Sequence, residues 1–273
     1  SNHYDASALV ALGLHALQHR GQEGCGIVSF DGKKYYSEKR FGLVGDNFNK
    51  EKVLKNLAGK YAIGHNRYST AGKSELVNAQ PCMINYAEGS LALAHNGNLV
   101  NAQTIRKGLA SKGAIFQSTN DSEVIVHLMA QAKSASFVDR AAEALRQVSG
   151  AYSLILMTEN ELLAARDPRG FRPLCLGKLE GAYIVASETC VMDLIEAEFI
   201  REVEPGELIL INEKGLQSFF PFQKEEPKHC VFEHIYFARP DSFIFGEHVY
   251  MARKEMGKAM AQESPANVDL VVP

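Results

Sequence analysis

Paired strand-sized apolar runs, interrupted once by a helical block, limit how this chain can fold more than any other feature. Residues 26–46 read GIVSF, an Asp31-Gly32 turn, then KYYSEKRFGLV, the pattern of a β-hairpin. YAIGHNRYS and SLALAHNGN predict two further strands that end in polar, glycine-bearing loops. Three helices follow: 101–112, with Asn101 as cap and Gly113 as stop, about 120–133, and 136–148, capped by Ser136. Strand pairs then resume. AYSLILM turns at Glu159-Asn160 into ELLAARD, LCLGKL turns into AYIVASE, and GELILI turns at Lys214-Gly215. Ahead of them all, DASALVALGLHALQH places Leu9, Leu12, Ala16 and Leu17 at helical spacing behind Asp5, a suitable N-cap. Strand-rich blocks on both sides of a helical block predict an α+β protein with layers of sheet and helix, in place of an alternating parallel α/β sheet.

Composition narrows the function classes. The 273 residues are 46% hydrophobic and 22% charged, enough to bury one large core or two modest ones. The longest apolar runs are strand-sized, which argues against a membrane span, and the first twenty residues are amphipathic and show no export-signal pattern. The net charge of -3 is spread along the chain, and no basic stripe is interleaved with aromatics, so nucleic acid is excluded as a partner. The cysteines at 25, 82, 175, 190 and 230 are odd in number, far apart and without a CxxC pair. That argues against a disulfide framework or a self-contained zinc site and for a reducing cytoplasm. PFQKEEPKH at 221–229 breaks the strand pattern with two prolines and mixed charge, and places a domain boundary there, with units 1–224 and 225–273. HVYMARKEMGKAMAQES beyond it predicts a helix. VDLVVP then predicts the start of a buried strand, whose missing neighbours imply a cut within a domain.

Three loops could carry chemistry. In LAHNGN, Asn96-Gly97 is either a tight hairpin turn or a pair of donors, a side-chain amide and a closely approachable backbone N–H, converging as an oxyanion hole. In GHNRYSTAG, Arg67 is either a solvated charge or a fork for a carboxylate, with Ser69 and Thr70 adding hydroxyl contacts. In STNDSEV, Asp121 is either a helix N-cap or the partner of a substrate ammonium. Taken together, the functional readings describe recognition of a free amino acid with a reacting carbonyl. Cys25, between Gly24 and Gly26, invites reading as a nucleophile, but its nitrogen is a peptide amide and cannot act as a base. It reads as a buried, inert thiol.

QHRGQEG, GHNRYSTAG, NAQP, LAHNGNLVNA, TNDSEV, RDPRGFRPL, ASETC and FEHIYFARPDS, in this order, resemble the glutamine phosphoribosylpyrophosphate amidotransferase family along essentially the whole chain. The resemblance implies an N-terminal-nucleophile hydrolase fold, an αββα sandwich of two antiparallel sheets, followed by the truncated start of a phosphoribosyltransferase α/β domain. It implies a glutaminase that supplies ammonia for phosphoribosylamine formation from phosphoribosylpyrophosphate in purine synthesis. By motif, Arg67 would hold the glutamine carboxylate, Asp121 its ammonium and Thr70 a place beside it. Asn96 and Gly97 would form the oxyanion hole, and Arg20 with Gly21 would flank the nucleophile. The family's nucleophile is an N-terminal cysteine on a short strand that this sequence, opening at Ser1, does not contain. That departure leaves a non-catalytic glutamine-binding module as the alternative. The resemblance also implies Mg2+ in the full-length protein, a homo-oligomer, and an iron–sulfur cluster in some members, for which Cys230 is the candidate ligand.

Overall fold

Asp5 opens the first helix as its sequence predicts: its carboxylate accepts the Ser7 N–H at 3.1 Å, capping α1 (Ala6–Ala16). The computed structural model describes residues 5–49, 51–57, 59–68 and 75–272, without the side chains of 51 and 52. A 3-10 turn (Gln18–Arg20) leads into the hairpin of β1 (Gly24–Phe30) and β2 (Tyr35–Phe41), then α2 (Val44–Asn47), α3 (Glu51–Lys55) and β3 (Tyr61–Arg67). Next come β4 (Cys82–Tyr86), β5 (Gly89–Leu99), the helices α4 (Ala102–Ser111), α5 (Glu123–Gln131) and α6 (Phe137–Leu145), and the pair β6 (Gly150–Met157) and β7 (Leu162–Arg166). The chain continues through β8 (Cys175–Leu179), β9 (Ala182–Ala186), α7 (Cys190–Leu194), β10 (Glu198–Glu202), β11 (Leu208–Asn212) and β12 (Gly215–Phe219). Residues 220–230 hold no regular structure; a π-helical turn (Glu233–Phe237), the short pair β13 (Phe243–Ile244) and β14 (Glu247–His248), and α8 (Val249–Glu263) follow.

Strand alternation builds the layers. The order β12-β11-β7-β6-β5-β4 forms one antiparallel six-stranded sheet. Along β5, Leu91 and Leu93 face α4, α5 and α6, where Val124, Ile125, Met129 and Ala141 complete the largest apolar cluster. Ala92 and Ala94 face the other way, onto Val28 of β1 and Ile63 of β3. That second layer consists of two three-stranded antiparallel sheets, β2-β1-β3 and β10-β8-β9. α1 and α7 cover its outer side through Ala11, Leu14 and Ile27 and through Ala16, Ala186 and Met192. The result is the αββα sandwich expected of the resemblance, with the second sheet divided in two.

The division leaves two sheet edges. Among the described residues β3 pairs only with β1 and β9 only with β8. Both edges, with Leu9, Val10 and Leu14 of α1, line an apolar cavity of about 250 Å³.

At two places the structure removes one of the readings left open, and at a third it departs from expectation. Asn96-Gly97 is no turn: β5 runs on to Leu99 because β6 supplies a partner for every residue from Ala92 to Leu99. Asp121 does not cap α5, whose N-terminal residue Ser122 itself makes no capping bond. Residues 268–272 form no strand among the described residues, and Leu270 is 77% exposed. Cys25 behaves as the sequence indicates. It pairs with Asn66, whose amide bonds the Leu14 carbonyl, so both side chains point toward α1. Burial pushes its thiol up to about 11. Burial likewise pushes Cys82 up to about 11 and Cys190 up to about 12.

Alkylation of the native protein should therefore modify the half-buried Cys230 first, with Cys25, Cys82, Cys175 and Cys190 reacting only on unfolding. Mass mapping of early adducts checks this; early labelling of Cys25 would contradict it.

Candidate functional site

β5 has eleven residues and its outer neighbour β4 has five, so beyond Leu93 the outer edge of β5 is open. In an antiparallel pair, a residue's N–H and C=O point to the same side. Tyr152, opposite Gly97, accepts the Asp167 N–H and donates its own N–H to Asp167 Oδ2, both on the β7 side, so Gly97 directs its N–H away from β6, to the open edge. Its neighbours on that edge are taken. The His95 N–H donates to Gln80 Oε1 at 2.7 Å and the Leu99 N–H to Asp121 Oδ2 at 2.8 Å. Between them, the Gly97 N–H faces a cavity of about 130 Å³. Only glycine fits there: a Cβ would lie 2.1 Å from the Ala151 carbonyl oxygen and 2.6 Å from His95 Nε2. The Nδ2 of Asn96 is buried and has no hydrogen-bond partner.

The same cavity is lined by Arg67, Asp121, Arg20 and Arg172. Arg67 ends β3, is 5% exposed and has its Nε 3.4 Å from Glu23 Oε2. Gly21 lies behind it: a Cβ there would meet the Arg67 carbonyl at 2.5 Å, and the Glu23 N–H donates to that carbonyl oxygen. Asp121 is delivered by the loop ahead of α5, which the Asn78 side chain ties down by accepting the Thr119 N–H at 2.9 Å.

Two histidines border the cavity as neutral rings. His65 Nε2 donates to the His95 carbonyl oxygen at 3.0 Å, so Nδ1 is a bare acceptor, and burial holds the ring down at about 4. His95 Nε2 donates to Ala151 O at 3.3 Å and its Nδ1 accepts from Ser122 Oγ at 2.7 Å; burial lowers it as well, against the pull of Asp121.

The far wall is ionic. Arg20 Nη1 donates to Glu188 Oε1 at 2.6 Å and to Glu233 Oε2 at 2.9 Å, and Nη2 to Glu233 Oε1 at 2.8 Å. Both carboxylates are fully buried. Glu188 also accepts from His19 Nε2, the Arg239 N–H and Ser242 Oγ. Burial opposes its ionisation, but the His19 hydrogen bond and the Arg20 charge outweigh that and pull it down to about 2.

The structure thus gathers Arg20, Arg67, Asn96, Gly97 and Asp121 around one cavity, with Gly21 buttressing it; Thr70 lies outside the described residues. Gln80, His95, Glu188 and Glu233 carry no role in the sequence reading, although NAQP, LAHNGNLVNA, ASETC and FEHIYFARPDS marked the segments that bring all four. Cys230 stands apart, its Sγ 3.9 Å from Arg172 Nη1, and no group of three His, Cys, Asp or Glu among the described residues is placed to hold a metal. No helix of the described residues is long and apolar enough to cross a membrane.

Residues 65–193 match the family model of the glutamine amidotransferase domain. On this fold and around this cavity, that match defines the class: a glutamine amidotransferase built on the N-terminal-nucleophile hydrolase sandwich. Within the class, the chain belongs with the amidophosphoribosyltransferases, whose N-terminal glutaminase part it matches. It is 50% identical to the amidophosphoribosyltransferase of Rhizobium etli over 99% of its own length and 56% of that protein's. The solved glutamine phosphoribosylpyrophosphate amidotransferase of B. subtilis, complexed with ADP and GMP, superposes with a TM-score of 0.91 at 45% identity, covering 98% of this chain and 58% of that one. A structure described as the allosteric regulatory enzyme of purine biosynthesis gives 0.92 at 45% identity over 96% and 57%. The chain spans a little over half the length of these relatives.

The depressed Glu188 group fixes a pH dependence. A carboxyl whose folded value lies near 2, below its ordinary 4.5, contributes stability above 4.5 that is lost as pH falls toward 2. Denaturant midpoints should fall across that window, and Glu188→Gln should be less stable at neutral pH and flatter below 4.5. Parallel profiles for the two proteins would contradict the assignment.

Proposed function

We propose that this chain is the glutaminase part of an enzyme that hydrolyses glutamine and supplies the ammonia for making phosphoribosylamine from phosphoribosylpyrophosphate in purine synthesis. The observation that carries the reading is the buried Asn96 Nδ2 without a hydrogen-bond partner beside the Gly97 N–H, on a strand edge where the N–H groups of His95 and Leu99 are already bonded. Donors fixed before substrate arrives hold a developing oxyanion without reorganising. Arg67 takes the α-carboxylate and Asp121 the α-ammonium, so the side-chain amide carbon is presented to the oxyanion donors. The buried, neutral His65 and His95 add no charge to compete with these contacts.

The nucleophile in this reading is an N-terminal cysteine on a strand preceding Ser1. The apolar slot between β3 and β9 suits a strand that pairs on both sides, and it shares Leu14, Leu17, Gly64 and Ser187 with the glutamine cavity. The thiolate adds to the amide carbon, the carbonyl electrons move onto the oxygen between Asn96 and Gly97, and ammonia leaves as the thioester forms. Water then cleaves the thioester to glutamate and restores the thiol. The free α-amine carries the proton from thiol to leaving group. Cytoplasmic location, a homo-oligomeric state, magnesium and the phosphoribosyltransferase half belong to the same proposal, and Thr70 is assigned beside the substrate by motif alone.

In the full-length protein, Arg67→Ala should raise the glutamine KM with a smaller change in kcat, because its contact is present in ground and transition states alike. Asn96→Ala should lower kcat roughly a hundredfold or more, as loss of an oxyanion donor does. Unchanged glutaminase kinetics in the double variant would overturn the site assignment.

A further inference from the structure

The ionic wall has no part in the chemistry above, yet it touches the same cavity. Glu233 starts the π-helical turn closed by the Ala238 N–H to the Glu233 carbonyl. Its carboxylate joins two arginines from distant segments: Oε1 accepts from Arg20 Nη2 and from Arg172 Nη1, each at 2.8 Å, and Oε2 accepts from Arg20 Nη1 at 2.9 Å. Both arginines line the cavity, as does Phe237 from the same turn, over which the Arg172 guanidinium sits at 5.0 Å. Arg20 directly precedes Gly21, the residue pressed onto the carbonyl of Arg67.

We propose that Glu233 is a positioning residue for the glutamine site: through Arg20 it fixes Gly21 against Arg67, and through Arg172 it fixes the adjoining stretch of the cavity wall, so the cavity's geometry depends on where segment 231–242 lies. The proposal rests on the glutamine reading above. The segment holds Arg20 twice, directly through Glu233 and indirectly through Glu188, which the Arg239 N–H and Ser242 Oγ anchor. A guanidinium gripped from two sides by buried carboxylates has one orientation available, and the planar fork makes that orientation specific. Removing the Glu233 carboxylate leaves Arg20 with Glu188 as its one anchor and strips Arg172 of its carboxylate, so the two guanidinium groups compete for what remains and Arg20 loses its fixed orientation. The backbone at Gly21 has no slack to absorb that movement.

The test is a double-mutant cycle on glutaminase activity of the full-length protein, with Glu233→Gln, Arg20→Gln and the pair, each assayed well below its thermal midpoint. Each single change should lower kcat/KM for glutamine by about tenfold or more, since small misplacements at a reacting centre cost that much. The pair should be no worse than the worse single, because both changes break one unit. Should Glu233→Gln fail to fold, Glu233→Asp, which keeps the charge but shortens its reach, should show a smaller loss of the same kind. Values within twofold of the parent for the variant that folds, or losses that multiply in the pair, would overturn the proposal. Arg67→Ala separates the two claims. If it leaves KM unchanged, the glutamine reading has failed; if it raises KM while the cycle shows no coupling, only the role of Glu233 has.

Discussion

The site depends on a mismatch in strand length. β4 stops after pairing with Leu93 while β5 continues to Leu99, so three consecutive outward N–H groups emerge where no neighbouring strand can take them. A buried backbone donor without a partner is costly, and each of these is answered differently. A glutamine side chain answers at His95 and an aspartate at Leu99, and between them the Gly97 position lines the cavity. The loops NAQP and TNDSEV are thereby drawn to this edge. The absence of a side chain at Gly97 lets β5 approach the Ala151 carbonyl as closely as it does.

Charge is distributed around the cavity by type. Neutral donors and neutral imidazoles surround the place where a carbonyl would react, while formal charges stand at its ends and along the wall behind Arg20. Burial keeps the two systems apart: it discharges His65, and His95 too although Asp121 Oδ1 lies 3.8 Å from its Nδ1, yet it leaves Glu188 ionised because cationic and backbone donors converge on it.

Much of this was legible in the sequence, and what was not has a common cause. Helix caps at Asp5 and Ser136, the Asp31-Gly32 hairpin and the strand pairs after residue 150 depend on neighbours a few residues away, and they form where local pattern places them. Cys25 was assignable to the core because an internal cysteine has no free amine to act as its base, and the structure turns it to the same side as Asn66. Asn96-Gly97 reads locally as a turn; only β6, more than fifty residues on, makes it a strand. Arg20, Arg67 and Asp121 could be tied to a ligand only through eight motifs in order, because each alone is an ordinary surface charge or cap. Glu188 and Glu233 carried no readable role at all. Their partner Arg20 lies 168 and 213 residues away, beyond any periodicity.

The slot between β3 and β9 sets an order of events. Its walls come from α1, from residues 60–64 and from residues 179–187, so it does not exist until both halves of the second layer have formed against the six-stranded sheet. Under the proposed reading, the strand that fills it would be the first part of the protein made and the last to find its place. A reactive thiol carried on that strand would come into register only when the oxyanion donors, the arginine and the aspartate were already fixed. The architecture would then act as its own timer, withholding the nucleophile until the pocket that disciplines it is complete.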